Sequence, residues 1–201
     1  MENKAYFNEK EIKNFFNELD KCIEVSKSTG EKQYKRAVRN KAIFATMYYC
    51  ALRVTEVCTL KTKSYNRKEG TIYCDRINGS KNNKLKIKKG YEFVKESLDL
   101  HIKENNPGIY IFTALNNEDK PISRKTVNVL FYKTCKEVGL EYAKMNSFLL
   151  RDSMAMHLVK RGLTSIELQY WLGHSNLLST QKYFKDLDDK NIDIEEIYKK
   201  M

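Results

Sequence analysis

The stretch LGHSNLLSTQKY, residues 172–183, joins two segments of helical pattern near the end of the chain. Gly173 follows an apolar run, which is typical of a helix C-terminus, and a new helical pattern opens after it. His174 therefore lies at a helix junction, where a lone histidine usually caps a helix or donates to its backbone. Tyr183 follows nine residues later and is one of 13 tyrosines, so on its own it indicates only a structural role.

Outward from this stretch, apolar residues recur at helical spacing through most of the chain. A first helix should open after Asn8, because Glu11 stands three residues later as in a capping box. Only two prolines interrupt the chain, so the fold class is predicted to be mainly α. The further predicted helices cover residues 34–50, 54–61, 91–104, 123–138, 149–161, 165–172, 177–184 and 189–199.

One short antiparallel sheet should interrupt the helices. Residues 71–76, TIYCDR, favour a β-strand, and residues 85–88, LKIK, alternate apolar and basic side chains. Residues 78–84, NGSKNNK, are typical of a turn. The pattern predicts a β-hairpin with a basic tip.

Length and charge indicate one domain with a basic surface. The chain has 201 residues, 37 Lys or Arg against 26 Asp or Glu, and a net charge of +11. Such a charge suits nucleic acid, an anionic membrane face or acidic partners, and it also suits a solvated lysine-rich surface. With 41% hydrophobic residues general disorder is excluded, and no apolar run is long enough to span a membrane. We expect a soluble, cytoplasmic protein.

Neither the cysteines nor the familiar ligand motifs indicate a cofactor. The five cysteines form no C-x-x-C pair and no cluster with histidine, so we expect reduced thiols, with Cys50, Cys58 and Cys135 in the core. Nucleotide-binding glycine loops, H-E-x-x-H and calcium loops do not occur in the sequence. We expect no metal and no nucleotide cofactor.

Two arginines occupy unusual positions in apolar helical patterns. Residues 51–60, ALRVTEVCTL, place Arg53 at a helix start and Glu56 one turn later, so that the carboxylate can orient the guanidinium as a phosphate fork. A surface ion pair would give the same spacing. Residues 148–158, FLLRDSMAMHL, place Arg151 at the start of a strongly apolar helix.

The order of these residues resembles the catalytic domain of tyrosine recombinases, the integrase and Xer-type family. ALRVTEVCTL is similar to that family's first arginine box, G-L-R-x-S-E-L-x-x-L, and LLRDSMAMHL to its second, H-x-L-R-H-T-F-A-T-H-L. The stretch LGHSNLLSTQKY matches the family's L-G-H-S…T…Y box and is the most specific of the three. The resemblance covers nearly the whole chain, which we expect to form a single catalytic domain over residues 1–201.

The resemblance implies a DNA recombinase that cleaves and rejoins double-stranded DNA through a 3′-phosphotyrosine. It assigns Tyr183 as the nucleophile, Arg53 and Arg151 as the phosphate clamp, and His174 as a donor to the phosphate or an acceptor of the nucleophile's proton. It assigns the general acid to a lysine of the β-turn, Lys81, with Lys84 as its rival. The resemblance also implies that the Glu56 carboxylate holds Arg53 and that Lys84 and Lys86 bind DNA.

The chain departs from the family pattern in three respects. Phe148 stands where the second box usually has histidine, and Asp152 stands where histidine usually follows the arginine. We expect no separate N-terminal DNA-clamping domain. For the tail, residues 184–201, the resemblance implies a helix that docks on a neighbouring protomer, giving a homotetramer on two DNA sites; the alternative is that the tail folds back on its own domain.

Three functions fit the sequence. The first is an active site-specific recombinase that acts in DNA integration, excision or inversion and associates with the nucleoid. The second is a DNA-binding relative with weak or no catalysis. The third is a nicking-closing enzyme similar to type IB topoisomerases.

Overall fold

The computed structural model describes residues 6–114, 117–140 and 146–185. Within these ranges most of the chain is helical, and a 3-10 turn follows the third helix. The α-helices are α1 (Glu9–Thr29), α2 (Glu31–Tyr49), α3 (Val54–Cys58), α4 (Glu92–Asn105), α5 (Arg124–Glu137), α6 (Phe148–Lys160), α7 (Ser165–Leu172) and α8 (Leu178–Gln181).

Two small antiparallel sheets accompany the helices. The predicted hairpin is confirmed as the second and third strands of one sheet, in which Ile72 pairs with Leu85. The first sheet has the order β1 (Tyr65–Asn66), β2 (Thr71–Cys74), β3 (Asn83–Lys86), and the second pairs β4 (Thr113–Ala114) with β5 (Asn117–Pro121). The first strand of the first sheet and the whole second sheet were not expected. Strands β1 and β4 have two residues each, which is too short for an alternating pattern, and the residues of β5, NEDKP, are polar and typical of a turn.

The helix starts follow the local sequence signals. Asn8 accepts a hydrogen bond from the backbone N–H of Glu11 at 2.9 Å, and the Glu11 carboxylate accepts from the backbone N–H of Asn8 at 2.7 Å, so the predicted capping box is confirmed. Helix α7 has the predicted bounds. Helices α3 and α8 are shorter than predicted, and the predicted helix over 189–199 lies outside the described residues.

Helix α2 is the centre of the fold. It packs against α1, α4 and α6. Its C-terminal half, from residue 42 onwards, is buried on every side, and so are residues 50–52, which follow the helix. A helix buried all round has no solvent face along which it could shift, so its C-terminal end is held firmly in place. Residues 50–52 connect this end to Arg53, so the buried helix end holds this predicted site residue in place.

The tip of the β2–β3 hairpin docks on the C-terminus of α7. The backbone N–H of Lys81 donates to the carbonyl of Gly173 at 2.8 Å, and the Asn83 amide donates to the carbonyl of Trp171 at 3.0 Å. Gly173 has a φ of +68°, and a Cβ built there would lie 2.6 Å from the Lys81 carbonyl oxygen. Glycine is therefore required for both the helix end and the hairpin contact.

Two further expectations are that Cys50, Cys58 and Cys135 lie in the core and that no segment is apolar and long enough to span a membrane. The structure confirms Cys50, Cys58 and Cys135 as buried, together with Cys74, while Cys22 is exposed. The cysteines are free thiols. Among the described residues, no helix combines the length and the apolar character that crossing a bilayer requires.

Replacing Gly173 with alanine should destabilise the fold more than the same change at Gly139. Both glycines have a φ of +68°, so each variant carries the strain of an L-residue in the left-handed region, about 1–2 kcal/mol. Only at Gly173 does the added methyl group also collide with the Lys81 backbone. Urea denaturation measures both free energies of unfolding, and equal losses would show that the hairpin tip moves aside without cost.

Candidate active site

Four of the predicted site residues line one cleft. The start of α3, the turn between β2 and β3, the first turn of α6 and the segment from the end of α7 to just beyond α8 surround a cavity of about 430 Å³. The predicted residues on its wall are Arg53, Arg151, His174 and Tyr183. Lys81 lies on the wall of a smaller neighbouring cavity of about 160 Å³, which shares His174 with the first.

The ion pair predicted between Arg53 and Glu56 is present. The Arg53 Nη1 atom lies 2.8 Å from Glu56 Oε1, and the backbone N–H of Arg53 donates to Glu56 Oε2 at 2.8 Å. Nη1 also donates to the Ser80 hydroxyl at 3.1 Å. Among the described residues, Arg53 Nε and Nη2 have no acceptor, so these N–H groups remain for an anion in the cleft.

Arg76 was not predicted as a site residue, and it connects the elements around the cleft. Its guanidinium is buried and donates to the Glu56 carboxylate at 3.2 Å and to the Asn83 side chain at 3.2 Å. It also donates to three backbone carbonyls, those of Cys50, Ala51 and Trp171. A sequence signal existed: Ile72, Cys74 and Arg76 follow the two-residue period of a strand, which places an arginine on the apolar face.

Arg151 is 1% exposed and held from both sides. Its Nη2 atom lies 2.9 Å from the Leu172 carbonyl and 3.0 Å from His174 Nε2, and its Nη1 atom donates to the carbonyl of Ala51. Burial, with repulsion from Arg76 and Arg53, lowers the pKa of Arg151 to about 10. The guanidinium therefore remains charged at neutral pH.

Positive charge exceeds negative charge at the base of the cleft. The guanidinium groups of Arg53, Arg76 and Arg151 surround the buried carboxylate of Glu56, which is 2% exposed. Burial alone would raise the pKa of Glu56, but Arg76 and Arg53 outweigh it and hold that pKa below its ordinary value. Three cations around one anion leave a site that favours a bound anion.

The hydrogen bonds of His174 fix its tautomer. An arginine N–H can only donate, so His174 Nε2 accepts from Arg151, and the proton lies on Nδ1. Nδ1 then donates to the Thr180 hydroxyl at 2.9 Å. Burial, with the charges of Arg151 and Arg53, lowers the pKa of His174 to about 4, so the ring is neutral at pH 7.

The Tyr183 hydroxyl is hydrogen-bonded to a carboxylate. Tyr183 is 5% exposed, and its Oη atom donates to Asp152 Oδ1 at 2.5 Å. Burial and the Asp152 carboxylate raise the pKa of Tyr183 well above its ordinary value, against the opposing effect of Arg151. The ammonium of Lys182 lies 3.7 Å from Asp152 and 4.6 Å from the centre of the Tyr183 ring.

The lysines of the hairpin differ in their surroundings. Lys84 lies on β3 and pairs with Glu69 at 3.0 Å, while Lys86 is exposed on the same strand. Lys81 is exposed in the turn that docks on Gly173. Their roles as general acid and DNA contacts stay predictions.

Phe148 lies at the cleft and not in the core. Its side chain is 44% exposed and forms part of the cavity wall that Arg151 and Tyr183 share. An apolar ring at this position excludes water and supplies no hydrogen bond to an anion. Within the ranges that the structure describes, His, Cys, Asp and Glu form no group that could hold a metal ion.

Comparison with known proteins shows the family of this chain. The model of the phage integrase family matches residues 6–190. The chain belongs to the phage integrase family. One relative, tyrosine recombinase XerA from Pyrococcus horikoshii, is 34% identical over 165 residues, which cover 79% of this chain and 56% of the relative. Tyrosine recombinase XerD from Oceanobacillus iheyensis is 29% identical, over 83% of this chain and 54% of the relative. The chain spans little more than half the length of these family members.

Solved structures of the family show the same fold. A crystal structure of XerA recombinase aligns with 100% of this chain and 66% of its own, with a TM-score of 0.69 and 19% identity. The XerH recombinase in a post-cleavage complex with a palindromic difH substrate aligns with 97% of this chain and 54% of its own, with a TM-score of 0.74 and 19% identity. The expected fold class, mainly α with small antiparallel sheets, is confirmed.

Replacing Glu56 with glutamine should destabilise the fold by about 3–5 kcal/mol, because buried guanidinium groups lose their counter-charge. The pKa of Glu56 is lower in the folded state than in the unfolded state. The carboxylate therefore stabilises the fold fully above its ordinary pKa, and this stabilisation is lost as the pH falls from there through the lower pKa of the folded state. The difference from wild type should therefore shrink in acid. Denaturation at several pH values measures it, with Glu69→Gln in the exposed Lys84 pair as the control. Equal stabilities at neutral pH would contradict the expectation.

Proposed function

We propose that this chain is the catalytic domain of a site-specific recombinase that cleaves and rejoins double-stranded DNA through a 3′-phosphotyrosine. One observation carries the proposal: the Tyr183 hydroxyl shares a cleft with Arg53, Arg151 and His174, and the net charge of the buried groups there is positive. A tyrosine nucleophile beside preorganised cationic donors suits transfer of a phosphodiester. Membership of the phage integrase family supports the same reaction.

In the proposed reaction Tyr183 attacks the scissile phosphorus and the 5′-oxygen leaves. Negative charge then grows on the non-bridging oxygens, and the unpaired N–H groups of Arg53 lie on the wall of the same cleft. Arg151 stabilises the same charge from a position that three hydrogen bonds hold. Removal of one such donor typically costs about 2.7–4 kcal/mol of barrier.

The proton for the leaving oxygen is assigned to Lys81. Lys84, its rival, is engaged with Glu69, whereas Lys81 lies on the turn beside His174. Arg76 is not a phosphate ligand in this proposal, because its five N–H groups are taken up by Glu56, Asn83 and backbone carbonyls. It holds the hairpin and Glu56 in position.

Duplex DNA is the proposed substrate and partner. The net charge of +11, with exposed Lys84 and Lys86 on the hairpin, suits contacts that neutralise phosphates without reading bases. A similar fold is seen in XerH bound to its difH substrate. We further propose that residues 1–201 act as one catalytic domain, that four copies assemble on two DNA sites, and that the protein associates with the nucleoid.

A second candidate function is DNA binding with weak catalysis. Phe148 favours it, because this apolar side chain lies on the cleft wall, where a hydrogen-bond donor would serve catalysis. Covalent attachment to DNA separates the two candidates, since a binding protein forms no adduct.

Tyr183→Phe should abolish covalent attachment and retain DNA binding, because the ring still packs and only the hydroxyl is lost. The wild-type chain is incubated with duplexes of randomised sequence, and DNA that stays attached after denaturation is sequenced to define the site. Tyr132→Phe, at an exposed tyrosine outside the cleft, should form the adduct as wild type does. An adduct with Tyr183→Phe, or none with wild type, would defeat the proposal.

Phe148→His should raise the single-turnover cleavage rate, by up to about 10²-fold, because an imidazole can donate to the phosphate. The side chain is 44% exposed, so the melting temperature should change little. Phe148→Leu is the control, since it keeps an apolar side chain without a donor. A rate no faster than that of the leucine variant would show that this wall of the cleft does not reach the phosphate.

A further inference from the structure

The Tyr183 hydroxyl has a definite hydrogen-bond acceptor in the structure. Its Oη atom lies 2.5 Å from Asp152 Oδ1, across the gap between α6 and the turn that follows α8. Asp152 directly follows Arg151, so a residue of the proposed phosphate clamp and the residue that touches the nucleophile are neighbours on one helix. The contact joins residues 31 positions apart, and no local sequence pattern indicates it.

The hydroxyl needs an acceptor during cleavage. Burial and the neighbouring carboxylate keep the pKa of Tyr183 far above neutral pH, so the free phenolate is not populated before the reaction. The proton must therefore leave as the new bond to phosphorus forms. A group within hydrogen-bond reach of Oη has to receive it.

The other titratable groups around the hydroxyl do not fit that role. His174 Nε2 accepts from Arg151 and its Nδ1 proton is directed to Thr180, so both ring nitrogens are engaged. The side chains of Arg53, Arg151 and Lys182 are hydrogen-bond donors and offer the hydroxyl no acceptor atom. Phe148, one turn before Asp152 on the same face of α6, has no acceptor atom.

The charge of Asp152 is compatible with a phosphate nearby. Lys182 lies 3.7 Å from its carboxylate, and the cationic groups of the cleft exceed the anionic ones. A proton that reaches Asp152 also neutralises the carboxylate as negative charge builds on the phosphate oxygens. Repulsion between the two anions is thus removed in the transition state, where it would cost most.

We propose that Asp152 is a catalytic residue that accepts the Tyr183 proton during cleavage and returns it during rejoining, an inference that rests on the proposed function. The O–H bond of Tyr183 breaks towards Asp152 Oδ1 while the Oη–P bond forms. The P–O5′ bond breaks, and its electron pair leaves with the 5′-oxygen, which takes a proton from the general acid assigned to Lys81. Rejoining reverses each transfer, so that atoms, charge and protons balance.

The test compares Asp152→Asn with Asp99→Asn in single-turnover cleavage of the duplex recovered by the wild-type chain. Asp99 accepts a hydrogen bond from the Tyr65 hydroxyl at 2.8 Å outside the cleft, so the control makes the same chemical change at a second tyrosine–aspartate pair. Asp152→Asn should cleave about 10²-fold or more slowly, and Asp99→Asn should cleave as wild type does. Asp152→Glu, which keeps a carboxylate, should recover part of the rate.

A leaving group that needs no proton separates the two sides of the reaction. On a duplex with sulfur in place of the bridging 5′-oxygen, Lys81→Ala should recover, because a thiolate leaves readily, whereas Asp152→Asn should stay slow. Fluorinated tyrosine at position 183 lowers the phenol pKa and should shrink the deficit of Asp152→Asn. DNA binding and melting temperature confirm that each variant is folded.

Each result bears on the inference. Wild-type adduct formation with an undiminished rate for Asp152→Asn would overturn the role of Asp152 and leave the proposed function standing. Rescue of Asp152→Asn by the sulfur substrate would also overturn it, since the defect would then lie at the leaving group. A deficit that fluorinated tyrosine does not reduce would assign Asp152 to structure alone. Failure of wild type to form any adduct would overturn both proposals.

Discussion

The buried carboxylate of Glu56 is the interaction on which the arrangement of the cleft depends. It binds Arg53, which ends the loop after α2, and Arg76, which lies two residues beyond the end of β2. Arg76 in turn donates to carbonyls at the end of α2 and near the end of α7. One ion cluster thus joins three elements that are distant in sequence, and desolvated charges hold such a cluster in one geometry because each lost partner is costly.

The same cluster explains why the site suits an anion. All the N–H groups of the Arg76 guanidinium donate to protein acceptors, whereas Arg53 has two nitrogen atoms without an acceptor among the described residues. Arg76 therefore serves the fold, while Arg53 retains N–H groups that could bind an anion. Gly173 completes the arrangement, because only a residue without a Cβ lets the hairpin tip and the Arg76 side chain approach the end of α7.

Local signals predicted much of the fold, whereas the individual site residues were predicted from the resemblance to the family's three boxes. The capping box at Asn8, the bounds of α7 and the β2–β3 hairpin follow from caps, periodicity and turn residues, which act over a few positions. The two-residue strands lack such a signal. Arg76 and the contact between Asp152 and Tyr183 were missed because they depend on tertiary packing, which brings together residues that no spacing in the sequence relates.

The hydrogen bonds of His174 and Tyr183 fix where the protons in the cleft lie. His174 is held between Arg151 and Thr180 with its proton on Nδ1, so both of its ring nitrogens are already hydrogen-bonded. The proton between Tyr183 and Asp152 can move along its hydrogen bond without breaking the hydrogen bonds that hold Arg151. If Asp152 accepts that proton in the proposed reaction, rejoining can return it to Tyr183 along the same hydrogen bond. Reversible strand transfer then needs no external base, which suits a reaction whose two halves must run at comparable free energy.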